Sequence, residues 1–157
     1  MALSKLENLY RQVILDHSSH PHNHGTLENS SQHIEMNNPT CGDVIFLELQ
    51  KKDGIIKDIA FSGHGCSIST ASASMMTEIV KGKTVEEAMA LAEDFSLLVQ
   101  DKDVTNEEEL GEAEMLRGVS KFPARIKCAT LSWKALQKAI VESDSGAAKA
   151  GFMKHDE

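Results

Sequence analysis

Cys41, Asp43, Cys66 and Cys128 are the residues of this chain whose types suit chemistry on a metal or on sulfur. Thiolates bind soft metals and attack sulfur, and a carboxylate adds a harder oxygen donor. The spacing is not diagnostic. There are 24 residues between Cys41 and Cys66, and 61 between Cys66 and Cys128. Neither resembles the close cysteine pairs of a zinc finger. Three unrelated buried thiols remain an open reading, because a free cysteine packs as a small apolar residue. An odd count does not make a disulfide framework, and a thiol oxidoreductase would carry Cys-x-x-Cys, which is missing.

The elements around these residues narrow the choice. From Asp43 the chain alternates with a period of two, Ile45, Leu47 and Leu49 against Val44, Phe46 and Glu48. Asp53-Gly54 then predicts a hairpin turn, followed by a strand through Ile55, Ile59 and Phe61. A strict two-residue turn would pair Leu47 with Ala60 and Leu49 with Asp58. A register one residue away pairs them with Phe61 and Ile59, which packs better and predicts a bulge or longer turn. Counting back from the turn places Cys41 opposite Cys66, or within one residue of it, with Asp43 at the same end. A short edge strand is expected around Ile34 to Asn37.

A helix is expected from Ser67 to Val80 with an apolar stripe of Ile68, Ala71, Met75 and Ile79. Cys66 sits at its start, where backbone N–H groups favour thiolate. Cys128 falls in the first turns of a last helix, Pro123 to about Glu142, whose stripe is Ile126, Ala129, Trp133, Leu136 and Ile140. Arg125 and Lys127 flank that cysteine and also favour its thiolate. Ser4 with Glu7 predicts a capped first helix ending near His17, and Thr84 with Glu87 a capped short helix through Met89 and Leu91. Residues 93–114 hold nine carboxylates and one lysine, which reads first as a solvated face. Residues 143–157 read as a disordered tail.

Three thiolates and one carboxylate suit tetrahedral Zn²⁺, and equally iron in a cluster. An aspartate among sulfurs suits a metal or cluster that is exchanged, whereas a purely structural zinc module favours thiolate and imidazole. His64, two residues before Cys66, is an alternative fourth ligand to Asp43. The group His17, His20, His22 and His24 reads as loop rather than as a metal motif. The formal net charge is −8, which sets nucleic acid aside. There is no apolar run of membrane-spanning length and no signal-peptide stretch at MALSKLENLY, so a cytoplasmic setting is expected.

NPTCGD at 38–43, SGHGCSISTASASMMTE at 62–78 and RIKCATLSW at 125–133 resemble the three cysteine motifs of U-type iron–sulfur cluster assembly proteins, the family of IscU and the NifU N-terminal domain. YRQVILDHSSHPHNHG resembles the N-terminal signature of that family less closely. The resemblance runs from the N-terminal helix to Trp133. It implies a single α+β domain over 1–142, a three-stranded antiparallel sheet with helices on one face, of the SufE/IscU-like kind. It implies Cys41, Asp43, Cys66 and Cys128 as metal ligands, with Arg125 and Lys127 in support. It also implies a cysteine desulfurase of the SufS type as partner and delivery to a downstream cluster assembly complex. Scaffold members carry histidine where this chain has Lys127, and residues 93–118 look like an added acidic segment. Both features resemble the SufU branch. The expectation is therefore a zinc-dependent, sulfurtransferase-like sulfur acceptor rather than a stand-alone enzyme, with Cys41 accepting persulfide. The alternative is a scaffold on which a [2Fe-2S] cluster is built, with iron in place of zinc.

Overall fold

A computed structural model describes residues 2–28, 30, 32–39, 42–105 and 107–145, the first six and last three of them as backbone only. The chain order is α1 (Ala2–Ser19), β1 (Gln32–Asn38), β2 (Asp43–Lys52), β3 (Ile55–His64), α2 (Ser67–Val80), α3 (Val85–Leu98), a 3-10 segment (Glu107–Lys121) and α4 (Pro123–Ser145). The strands form one antiparallel sheet in the order β1-β2-β3. The fold is thus α+β, as expected.

The better-packed register is the one adopted. Leu47 pairs with Phe61 and Leu49 with Ile59, and the ladder shifts by one residue between Gln50 and Lys51. Asp43, Ile45, Leu47 and Leu49 are buried, while Val44, Phe46 and Glu48 on the other face are half-buried. A strand sends alternate side chains to opposite faces. The register that buries two leucines therefore also buries the carboxylate of Asp43. Ile59 and Phe61 of β3 and Ile34 of β1 extend the same core, which α2 and α4 cover.

Helix α2 is buried nearly all round, so its small residues do more than form one stripe. Ala71, Ser72, Ala73, Ser74, Met75 and Met76 are all buried. Small side chains let neighbouring backbones approach, and their hydroxyls must then be satisfied inside. Ser72 Oγ donates to the Ala129 carbonyl and accepts from Trp133 Nε1–H at 3.1 Å. Trp133 stacks on Phe95, with ring centroids 4.6 Å apart.

Several boundaries differ from expectation. Helix α1 already begins at Ala2, so Ser4 is inside it, and it continues past His17 to Ser19 before Pro21. Thr84 does close a capping box with Glu87, but α3 then runs on to Leu98 because Leu91, Phe95 and Leu98 supply a buried face. Helix α4 extends to Ser145, beyond the expected end at 142. The rest of the expected tail, 146–157, lies outside the described residues.

The acidic segment is organised around a cation of its own. Two 3-10 stretches meet at Gly111, whose backbone (φ 54°, ψ −132°) suits only glycine. Leu110, Ala113, Leu116 and Val119 anchor it to the core. Arg117 pairs with Glu107 at 3.1 Å, Asp101 at 3.3 Å and Glu114 at 3.9 Å. Burial, then a hydrogen bond and repulsion from Glu107, raise the Glu114 pKa above its ordinary 4.5, and Arg117 only partly opposes this. A carboxyl with a raised folded-state pKa holds its proton more tightly when folded. Its contribution favours folding at low pH and is lost as pH rises through the folded value. Glu114→Gln cannot ionise, so its melting temperature should gain on the parent as pH rises from 4.5 toward neutrality. Parallel melting curves across that range check this; a gap independent of pH would contradict it.

Candidate metal centre

The described donors lie at or near element termini. Asp43 opens β2 and is fully buried. Its Oδ1 accepts the backbone N–H of Cys66 at 2.9 Å, which ties the first strand of the hairpin to the start of α2. Gly65 makes this approach feasible. A Cβ there would stand 2.6 Å from Asp43 Oδ1. Cys66 is the N-cap of α2, and its Sγ accepts from the Ser69 N–H at 3.4 Å. It thus takes the position where a helix leaves unpaired N–H groups and favours negative charge. Cys128 lies in the second turn of α4, fully buried, with Sγ 3.9 Å from the Ala124 carbonyl oxygen.

The sequence-distant donors converge. One ligand atom from each of Asp43, Cys66 and Cys128 lies within 4.8 Å of the other two. Tetrahedral zinc with Zn–S bonds near 2.3 Å would set its ligand atoms roughly 3.5–3.8 Å apart, so a small inward movement suffices. The second oxygen of Asp43, Oδ2, is buried and has no hydrogen-bond partner among the described residues. A buried carboxylate oxygen without a partner costs free energy unless a cation or donor meets it. The donor set and this oxygen both fit a metal ion.

Other candidates fare differently. Cys41 lies outside the described residues. His64 is exposed at the end of β3, paired in register with Val44, and stands outside the converging group. Arg125 and Lys127 are exposed on the first turns of α4. The histidine loop is structural where it is described. His17 is buried between Ser74 Oγ and Glu112 Oε1, each at 2.7 Å, and the His22 N–H donates to the same Ser74 hydroxyl at 2.8 Å. Among the described residues, Asp43, Cys66 and Cys128 are the one group placed to share a metal. Asn38 was not singled out from sequence, yet its side chain reaches Cys128. Only its place in NPTCGD, directly before the turn into β2, could have drawn attention to it.

The model of the NifU-like N-terminal domain matches residues 9–129. The iron–sulfur cluster assembly scaffold protein IscU of Streptococcus pyogenes serotype M1 is 57 % identical over 143 residues, 91 % of this chain and 89 % of that protein. The zinc-dependent sulfurtransferase SufU of Bacillus subtilis strain 168 is 52 % identical over 143 residues, 91 % of this chain and 97 % of that protein. A solved structure from Fervidobacterium islandicum AW-1, described as an iron–sulfur cluster assembly scaffold protein for the SUF system, superposes with a TM-score of 0.79 at 35 % identity. It covers 82 % of this chain and 94 % of its own.

Proposed function

The chain belongs to the family of NifU-like N-terminal domains, and on that premise we propose that it serves iron–sulfur cluster biogenesis by accepting persulfide sulfur from a cysteine desulfurase. Cys41, Asp43, Cys66 and Cys128 would hold zinc. The observation that carries this reading is the convergence of Asp43, Cys66 and Cys128 around a buried carboxylate oxygen that has no partner among the described residues. Its supporting context is the likeness to a zinc-dependent sulfurtransferase over 91 % of the chain. Bound zinc would keep the thiols deprotonated at neutral pH.

The residues of the chain divide the work. Cys41 is the acceptor. Its thiolate attacks the outer sulfur of the desulfurase persulfide, the S–S bond breaks, and the electron pair leaves with the desulfurase thiolate. The sulfane sulfur then rides on Cys41. Asp43 stays in place throughout because the Cys66 N–H holds Oδ1. Arg125 and Lys127 offer positive charge to the incoming anionic persulfide. The same donors suit iron, and a relative 57 % identical is named as a scaffold, which supports assembly of a [2Fe-2S] cluster as the second reading. We place the protein in the cytoplasm, where thiols stay reduced and no described helix is long and apolar enough to cross a membrane. Residues 1–142 act as one domain, with 93–118 as its acidic addition.

Metal and sulfide content after anaerobic purification, followed by desulfurase turnover with and without the protein, tests the choice. One zinc per chain and strong stimulation that falls to the desulfurase's own rate in Cys41→Ala support sulfur transfer. Iron with matching sulfide, transferable to an apo-acceptor, establishes the scaffold reading instead.

A further inference from the structure

Asn38 touches three parts of the metal centre at once. It ends β1 and pairs in register with Asp43, the first residue of β2. Its backbone oxygen accepts the Gly42 N–H at 2.8 Å, which closes the turn leading into Asp43. Gly42 has φ +77°, so that closure uses a left-handed backbone. Its side chain is buried, 6 % exposed, and points Nδ2 at Cys128 Sγ, 4.0 Å away. The turn residue is thus joined to a donor that enters from α4, 90 positions further along the chain.

A buried amide beside a buried thiol has a limited set of uses. Leucine would fill the same space without the cost of burying polar atoms. An N–H aimed at sulfur is most favourable when that sulfur is a thiolate or a metal-bound thiolate, since donor bonds to anionic acceptors are the strong ones. Groups that hydrogen-bond metal ligands orient them and tune how firmly the metal is held.

We propose that Asn38 is a positioning residue of the metal centre. Its side-chain N–H holds the Cys128 sulfur in line with Asp43 and Cys66 and slows release of the ion. This rests on the metal-site reading given above. It adds that the Gly42-Asp43 entry to β2 and the Cys128 ligand are coupled through one residue, so that disturbance of either is felt at the other.

The test uses two near-isosteric variants, Asn38→Asp and Asn38→Leu. Both remove the N–H donor and leave the backbone oxygen that closes the turn. Zinc release to a chromophoric chelator and the sulfur-to-metal charge-transfer band of the Co²⁺-substituted protein are measured, with melting of the zinc-free proteins alongside. Loss of such a partner typically costs about 10- to 100-fold in metal affinity. Both variants should therefore release zinc at least about 10-fold faster and shift the cobalt band, while zinc-free melting of Asn38→Leu stays near the parent. In a Cys128→Ala background, Asn38→Leu should add nothing further, because the acceptor is gone. Unchanged release and an unchanged cobalt band would overturn the proposal while leaving the metal site intact. Equal losses in the Cys128→Ala background would overturn it too, as would loss of the zinc-free fold in both variants, which would mark Asn38 as structural. A parent protein that binds neither ion would sink the metal-site reading and this inference with it.

Discussion

Cys66→Ser should bind zinc about 100-fold more weakly than the parent while its zinc-free form melts at the same temperature or slightly higher. Two roles of one side chain are separable here. As N-cap of α2, Cys66 accepts the Ser69 N–H through sulfur at 3.4 Å. Serine is among the preferred N-cap residues and offers a better acceptor at that position. In the proposed role of metal ligand, sulfur is hard to replace. Zinc binding of about 10–16 kcal/mol spread over four ligands gives roughly 3 kcal/mol each, or about 100-fold in affinity. Competition against a calibrated chelator measures the first quantity and thermal melting of the stripped protein the second. Unaltered zinc affinity would remove Cys66 from the ligand set.

Gly63→Ala should be the most damaging small substitution in the sheet, costing about 3 kcal/mol or more. Gly63 has φ +117°, which L side chains rarely adopt, and a Cβ there would stand 2.1 Å from the Val44 carbonyl oxygen and 3.3 Å from Ile45 Cα. Both obstacles are backbone of the neighbouring strand, so relief requires breaking the ladder that ends at Val44 and His64. Gly65→Ala makes the informative contrast. The nearest atoms its Cβ would meet all belong to the Asp43 side chain, Oδ1 at 2.6 Å first. That side chain can turn aside, at the expense of its bond to the Cys66 N–H. Urea denaturation should show a large loss for Gly63→Ala and a smaller one for Gly65→Ala, with zinc affinity reduced in the latter. Equal stability of Gly63→Ala and parent would contradict the account of the strand end.

Most of the frame was legible because local signals agreed with one another. Alternation from Ile45 to Leu49, the Asp53-Gly54 turn and the preference of Leu47 for Phe61 over Ala60 together settled the β2–β3 register, bulge included. Thr84 and Glu87 announced α3 because both halves of the capping box are local. Helix ends were harder to read. The end of α3 at Leu98 and the run of α4 to Ser145 depend on what those helices pack against. At the metal centre, the hairpin count brought Asp43 and Cys66 together, but nothing local to Cys128 fixes where α4 crosses the sheet. The amide of Asn38 was illegible for the same reason, since its partner is 90 residues away. His17 likewise has its partners on α2 and the 3-10 segment, at Ser74 and Glu112.

The bulge between Gln50 and Lys51 acts as a phase setter for the whole centre. Below it Lys51 faces Ile56; above it Gln50 faces Asp58, and every later pair inherits that offset up to Val44 and His64. Asp43 and the approach to Cys66 are therefore aligned by an integer fixed at the opposite end of the hairpin, some six rungs from the candidate metal centre. Point substitutions at the tip leave that integer alone. A single-residue insertion or deletion changes it, and would carry the error intact along the ladder to the Asp43 carboxylate. Tolerance to length change at this surface turn is accordingly tied to the candidate metal centre, although none of its described donors is anywhere near the turn.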